Sequence, residues 1–282
     1  MAGANIKEIK RRIKSIESTK QITNAMELVA TSKLRRAKEK AEQSRPFFNI
    51  LYSAMSEIVA HTRGLKSIYT KKNEPINSGY VVIAGDRGLA GGYNSNIFKL
   101  VNENAKTGSK IFSIGKKADD FFRKSKYEIY KSYQDVLDNA SFVDAIEIAE
   151  DLIDAYKKGI VDEIHLVYTE FISPLVQQPH IVKVLPLEFD DVETPKITDV
   201  LYDPSPEEVF DNIVPKYIIG MIYCSIVESY ASEQGARRTA MEAATDNATE
   251  MLDDLNLKFN RARQAAITQE LTEIVGGAEA QK

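Results

Sequence analysis

The chain has 282 residues, 43% of them hydrophobic, which suits one large domain or two small ones with a buried core and excludes an extensively disordered chain. Its single cysteine excludes an internal disulfide, and its three histidines lie too far apart in the sequence to resemble a metal site. The net charge of -4 conceals two opposite ends: residues 1–45 contain 12 Lys and Arg against 5 Asp and Glu, whereas residues 207–276 contain 6 against 12. We therefore expect the two terminal segments to attract each other.

The N-terminal segment, 1–63, has the pattern of one long helix. Asn5 and Glu8 have the spacing of a capping box, and isoleucines then recur every three or four residues on one face. After this start no glycine interrupts the pattern before Gly64, although Pro46 is expected to bend the helix because proline removes a backbone donor.

Short β-rich runs alternate with helical stretches in the central segment, 79–190, which lies between polar linkers at 64–79 and 190–206. The runs are at 80–84, 110–114, 127–133, 163–169 and 181–189, and the helical stretches are at 95–107, 116–125 and 142–158. This alternation is typical of a mainly parallel sheet covered by helices, and it predicts a Rossmann-like α/β domain of about five strands. Ser141 and Asp144 predict the start of the third helix, and we expect the last strand to return antiparallel at an edge.

The C-terminal segment, 205–276, has the strongest helix start in the chain. Ser205 suits the N-cap, Pro206 the first helical position and Glu208 the third, and the helical pattern then continues to an expected stop at Gly276. Its apolar stripe is Met241, Ala244, Ala248, Met251, Leu255, Phe259, Ala262 and Ala266. Because so narrow a stripe cannot close a core alone, we expect an antiparallel coiled coil with residues 1–63.

Two features could carry chemistry or bind nucleic acid, but neither fits well. The loop 85–92 follows a strand as phosphate-binding loops do, yet its glycine spacing matches neither the dinucleotide nor the P-loop pattern, so we interpret it as a tight structural turn. The basic residues within 7–14 and 33–40 could form a nucleic-acid arm or face acidic protein, and the lack of aromatic residues in 1–46 favours the second reading. The sequence predicts no cofactor, no metal and no nucleic-acid partner.

No segment of the chain is expected to cross a membrane. The longest apolar run, 217–227, has 11 residues, whereas a spanning helix needs about 20. The N-terminus becomes charged at once and lacks the apolar core of a secretion signal. We therefore expect the chain to stay where it is made, without direct membrane insertion.

Four segments of the chain together resemble the gamma subunit of F-type ATP synthases. They are ITNAMELVATSKL at 22–34, the loop DRG at 86–88, AMEAATDNA at 240–248 and RARQAAITQELTEIV at 261–275. The resemblance covers essentially the whole chain and implies a non-catalytic rotor that couples rotation of a membrane ring of c subunits to conformational changes at the beta-subunit catalytic sites. It further implies that the paired helices stand inside three alpha and three beta subunits, with an epsilon subunit at their base.

The resemblance also implies a set of subunit-contact residues. Those expected to meet the beta-subunit catch loops are Arg263, Gln264, Thr268 and Gln269. Met26 and Arg237 are expected near an acidic beta-subunit loop, although Met26 lies on the apolar stripe and could equally be a packing residue. Tyr202 and Asp203 are expected to face the c ring.

Two other functions remain open at this stage. One is a structural coiled-coil adaptor unrelated to ATP synthesis, and the other is a nucleotide-binding enzyme built on the central domain. Under the gamma-subunit reading, the lack of a transit peptide predicts a location on the cytoplasmic face of a bacterial cell membrane.

Overall fold

The computed structural model describes residues 2–62, 65–70, 76–138, 140–189 and 201–279. The elements in chain order are α1 (Ala2–His61), β1 (Ser78–Ile83), α2 (Tyr93–Asn104), β2 (Lys110–Ile114), α3 (Lys116–Phe122), β3 (Glu128–Tyr133), α4 (Phe142–Lys157), β4 (Glu163–Phe171), β5 (Gln177–Leu185) and α5 (Pro206–Glu279). Along the chain, two long helices therefore stand before and after a five-stranded α/β segment, and the predicted fold class is confirmed.

The sheet has the strand order β3-β2-β1-β4-β5, with parallel pairing throughout except at β5, which runs antiparallel to β4 at one edge. The central strands are apolar on both faces because helices cover both sides of a parallel sheet, as the fully buried run Val81–Ile83 of β1 illustrates. The edge strand is as predicted in direction but begins at Gln177 rather than at residue 181. Its polar first residues lacked a strand signal and are placed by pairing with β4.

Side-chain caps begin two of the helices as predicted. At α4, the Ser141 hydroxyl accepts from the Asp144 backbone N–H at 3.2 Å, and the Asp144 carboxylate accepts from the Ser141 N–H at 3.0 Å, which forms a capping box. At α5, the Ser205 hydroxyl accepts from the Glu208 backbone N–H at 3.2 Å.

The predicted ends of the long helices were wrong at two points. Helix α1 begins at Ala2, before the expected cap at Asn5. Helix α5 runs past Gly276 and Gly277 to Glu279, because neither glycine adopts the left-handed conformation that ends a helix, and a helical glycine costs only about 1 kcal/mol.

The chain divides into two compact units, one formed by Met1–Ala30 with Arg238–Lys282 and the other by Thr31–Arg237. Each long helix contributes to both units. The domain boundaries drawn from the sequence, at 1–63, 79–190 and 205–276, stay a prediction.

In the first unit the two helices run antiparallel. The hydroxyls of Thr23 and Thr245 lie 2.7 Å apart, and nearer the N-terminus Arg12 shares a cleft with Leu255. A series of buried and half-buried α5 side chains alternates by four and three residues: Met241, Thr245, Ala248, Leu252, Leu255, Phe259, Ala262 and Ala266.

One residue of the predicted stripe is misplaced in this seam. Met251 is 57% exposed, and Leu252 faces inward instead. Both series run from 241 to 266 in seven steps and so have the same mean spacing, but in the seam the four- and three-residue steps alternate strictly, which keeps it directed at a supercoiled partner.

In the second unit the sheet is covered on both faces. Helices α2 and α3 pack on one face through Ile97, Val101 and Phe122. The other face carries the larger core, to which α1, α4 and the first part of α5 contribute. Fully buried α5 side chains in this core include Phe210, Val214, Ile218 and Ile222.

Gly115 provides a test of the sheet geometry. It follows β2 at φ +94°, and a Cβ there would lie 1.9 Å from the Ala84 carbonyl oxygen. We expect Gly115→Ala to lower the free energy of unfolding of the full chain by at least about 3 kcal/mol, from strain and overpacking together. Gly108→Ala is the control, since Gly108 has φ +88° with open space around it, and should cost only about 1–2 kcal/mol. Equal losses in urea unfolding would contradict the steric explanation.

Candidate functional site

The residues predicted to meet catch loops lie together on an exposed part of α5 in the first unit. Arg263, Gln264, Thr268 and Gln269 are all exposed. The Thr268 hydroxyl donates to the Gln264 carbonyl at 2.9 Å, and the Gln269 amide donates to the Glu273 carboxylate at 2.9 Å. Within the described residues, Arg263 forms no ion pair. The guanidinium of Arg263 is therefore available to an acceptor outside the chain.

Met26 occupies an intermediate position in the same unit. It is half-buried, one turn from the buried Thr23 on one side and the buried Ala30 on the other. Its side chain thus packs partly in the seam between the helices and partly reaches solvent, so both readings of this residue retain support.

The first unit also exposes an unusual amount of apolar surface. Large hydrophobic side chains that are about half exposed or more are Ile22, Leu28, Val29, Met251, Leu257, Ile267, Leu271, Ile274 and Val275. A free soluble helix pair keeps such residues few and scattered, whereas extended exposed apolar surface marks an interaction site.

Arg237, in contrast, is buried in the second unit. Its guanidinium lies 2.5 Å from the Glu233 carboxylate one turn earlier and donates to the Gly88 carbonyl at 3.2 Å. The Arg237 charge is therefore engaged inside the chain. Glu233, which sequence reasoning missed, could have been noticed as an acid four residues before an arginine in a predicted helix.

The loop 85–92 lies against the buried side chains of Glu233 and Arg237. The Asn94 side chain accepts from the Gly85 N–H at 2.9 Å, and the Asp86 carboxylate accepts from the Lys116 N–H at 2.9 Å. A Cβ at Gly85 would lie 2.6 Å from the Glu233 carboxylate oxygen, so a larger residue there would displace that carboxylate. A carboxylate against the loop disfavours phosphate, and the geometry supports the interpretation as a structural turn.

Burial governs the electrostatics of Glu233. Removal from water raises the pKa of its carboxyl above the ordinary value of 4.5, and the neighbouring Arg237 charge opposes that rise without cancelling it. The carboxylate and guanidinium thus form a buried pair whose loss on either side would leave an uncompensated group.

Tyr202 and Asp203 lie just before α5 in the second unit. Asp203 is exposed, whereas Tyr202 is half-buried, and burial together with the Glu57 charge raises the pKa of its hydroxyl. The structure brings neither side chain into a site with other predicted residues.

The described residues also bear on two further kinds of site, a metal centre and a membrane span. No group of three or more His, Cys, Asp and Glu side chains there could hold a metal ion. Within the same residues, α5 alone has a stretch long and apolar enough to cross a membrane, and half of that stretch is buried inside the protein, as in a core helix.

Known proteins resemble this chain along its whole length. The family profile described as ATP synthase matches residues 5–281. The ATP synthase gamma chain of Alkaliphilus metalliredigens is 49% identical, with 99% of this chain and all of that relative covered. The sodium-ion-specific ATP synthase gamma chain of Acetobacterium woodii is 42% identical, with 98% of each covered.

Solved structures agree with the fold. A chain in the rotor of the Euglena gracilis mitochondrial ATP synthase matches with a TM-score of 0.70 at 20% identity, covering 94% of this chain and 99% of that one. A chain of the central stalk of the Tetrahymena thermophila mitochondrial ATP synthase matches with a TM-score of 0.62 at 22% identity, covering 79% and 99%. At these identities the likeness concerns the fold.

The raised pKa of Glu233 predicts a pH dependence of stability. The folded chain holds a proton at Glu233 more readily than the unfolded chain, so the contribution of this group to stability is greatest below pH 4.5 and decreases as pH rises toward the folded pKa. The unfolding free energy of the original chain minus that of Glu233→Gln should therefore decrease as the pH rises over that range. The exposed Glu242→Gln should change stability by no more than about 0.5 kcal/mol. If this difference in unfolding free energy increases with pH instead, the Arg237 charge rather than burial determines the direction of the pKa shift of Glu233.

Proposed function

This chain belongs to the family of ATP synthase gamma chains, and we propose that it acts as the rotor shaft that couples rotation of a membrane c ring to the catalytic sites of an ATP synthase. As a member of that family it is a non-catalytic stalk subunit of a membrane-associated complex, with catalysis in the beta subunits. A nucleotide-binding enzyme and an unrelated adaptor are thereby set aside.

The observation that carries the proposal is the apolar surface of the first unit. Its exposed leucines, isoleucines, valines and methionine need a cover that the described part of the chain does not supply. A ring of three alpha and three beta subunits around the paired helices would supply it on all sides. Burial against such a sleeve stabilises the assembly by about 25 cal/mol for each Å² removed from water.

Asymmetry turns such a shaft into a coupling device. A single pair of helices presents a different face to each of three beta subunits, and contacts that favour one conformation shift its population. Each catalytic site is then in a different state, and rotation exchanges the states. The coupling free energy acts in both directions, so ATP hydrolysis can drive rotation and ion flow can drive synthesis.

Individual residues are assigned to this role as part of the proposal. The exposure of Arg263, Gln264, Thr268 and Gln269 supports contact with beta-subunit catch loops. The half-exposed Met26 could meet the acidic beta loop, to which Arg237 would contribute by positioning the loop 85–92 rather than by a free charge. Tyr202 and Asp203 would face the c ring, with an epsilon subunit beside them.

The location follows from the same assignment. A shaft that stands on a c ring is peripheral to the membrane that holds the ring, and in a bacterial cell membrane it would lie on the cytoplasmic face. Purification of the native complex through this chain should recover alpha, beta, epsilon and c subunits. Recovery of the chain without alpha and beta subunits would exclude the rotor role.

The exposed α5 residues provide a direct functional test. We expect Arg263→Ala with Gln264→Ala to lower the ATP hydrolysis rate of the assembled complex by about tenfold, since hydrogen bonds to a charged group contribute about 1.5–3 kcal/mol. The unfolding free energy of the chain should change by less than about 1 kcal/mol because both side chains are exposed. Lys258→Ala, which removes an exposed ion pair to Asp254, is the control. Hydrolysis that is equally reduced by the control would refute the assignment.

Met26 allows coupling to be separated from folding. Met26→Lys keeps an aliphatic stem that can cover the seam while its charge reaches solvent, so the stability loss should stay below about 2 kcal/mol. Ions pumped per ATP hydrolysed should fall, because a cation beside an acidic loop would hold the rotor in one position. Met26→Leu, which keeps the apolar volume, should pump normally. Unchanged pumping by the lysine variant would argue that Met26 only packs.

A further inference from the structure

Strand β4 extends beyond its neighbour β1 at the carboxyl edge of the sheet. Their pairing ends where Val82 meets Val167, but β4 continues to Phe171. Thr169 lies in this extension, in a non-hydrogen-bonded pair with Pro179 of β5, so its N–H and C=O both point away from β5 toward the side where β1 has ended. The backbone groups of Thr169 are buried and must therefore find partners that are not in a neighbouring strand.

Two serines of α5 supply those partners. The Ser229 hydroxyl accepts from the Thr169 N–H at 3.1 Å, and the Ser232 hydroxyl donates to the Thr169 carbonyl at 3.1 Å. Both serines are completely buried. One helix thus binds both backbone groups of a single strand residue, in the position that a further strand would occupy.

The contacts continue along the same part of α5. The Tyr93 hydroxyl, at the start of α2, is buried beside Ser229 and Thr169, and burial raises its pKa so that it stays neutral. One turn beyond, Glu233 and Arg237 engage the loop 85–92 through Gly88. Strand β4 and the β1–α2 connection are therefore joined to one helix by directional polar contacts.

Directional contacts differ mechanically from the apolar core around them. Apolar packing is proportional to area and nearly independent of direction, so helices can slide past a sheet by small steps at low cost. A hydrogen bond requires a defined distance and angle, and a buried N–H or C=O without a partner is unfavourable. A pair of such bonds to one residue opposes both rotation and sliding of α5 against the sheet.

We propose that Ser229 and Ser232 are positioning residues that clamp α5 to Thr169 and pass torque between the α/β sheet and the shaft helix. This inference rests on the proposed rotor function. In that role the sheet segment receives rotation at the membrane side, and α5 must turn with it without slipping. The clamp is placed where β4 would otherwise have unsatisfied backbone groups.

The test uses the complete complex in sealed vesicles, with Ser229→Ala and Ser232→Ala combined. Hydrogen–deuterium exchange of the peptide containing Thr169 should accelerate about two- to tenfold for each lost hydrogen bond. The number of ions pumped per ATP hydrolysed should fall by at least about twofold, since an opened clamp does not transmit rotation. Both values are normalised to the amount of assembled complex, so that a defect in folding alone changes neither ratio.

Ser225→Ala is the matched control. Ser225 lies on the same helix one turn before Ser229 and is buried, but its hydroxyl forms no hydrogen bond within the described part of the chain. This variant should pump normally. If the double variant does not assemble, Ser229→Ala alone takes its place with the same expected results, because it removes the acceptor of the Thr169 N–H and leaves the Ser232 bond to the Thr169 carbonyl in place.

The outcomes separate the two proposals. A complex with the original chain that hydrolyses ATP without pumping would contradict the rotor function itself. Normal pumping by the original complex and reduced pumping by the serine variants would support the clamp. Faster exchange at Thr169 with undiminished pumping per ATP would overturn the clamp and leave the rotor function intact.

Discussion

The second unit depends on the burial of one stretch of α5, residues 210–237, against the sheet and α1 together. Its apolar side chains lie in the same core as those of β1, β2, β4 and α4, so the sheet has no complete core without this helix. That constraint accounts for the continuity of α5 through Pro215 and Gly220. Packing on several sides outweighs a local cost of about 3 kcal/mol for a helical proline. Gly235 is retained for a related reason, since a Cβ there would lie 3.1 Å from Phe171.

The two units use their helices for different purposes. In the first unit, small residues such as Ala30 and Ala248 form a narrow buried seam, and larger apolar side chains point outward. In the second unit the apolar residues of α5 point inward, and six polar ones are buried with them: Ser225, Ser229, Ser232, Glu233, Gln234 and Arg237. A surface that needs a cover suits a shaft inside other subunits, and a core with directional polar contacts suits a part that must turn as one body.

Much of the fold could be read from local patterns. The parallel strands were predicted closely because continuous apolar runs between turn residues are a strong signal, and Ser141 and Ser205 were recognised as helix caps from the residues beside them. The start of β5 was missed because its polar residues at 177–180 are held by pairing with β4. Met251 was misplaced because it and Leu252 are adjacent apolar residues, three and four positions after Ala248, and either spacing continues a helical stripe.

The sequence by itself determined the helical stripes, the caps, the strand alternation and the family resemblance, since each depends on residues within a few positions of one another. Only the tertiary structure decided the polar partners. Thr169 and Ser229 are 60 positions apart, and Arg237 and Gly88 are 149 apart. No periodicity links such pairs. They form because a buried polar group must be satisfied by whatever the folded chain places beside it, and that is known only once the sheet and α5 have packed.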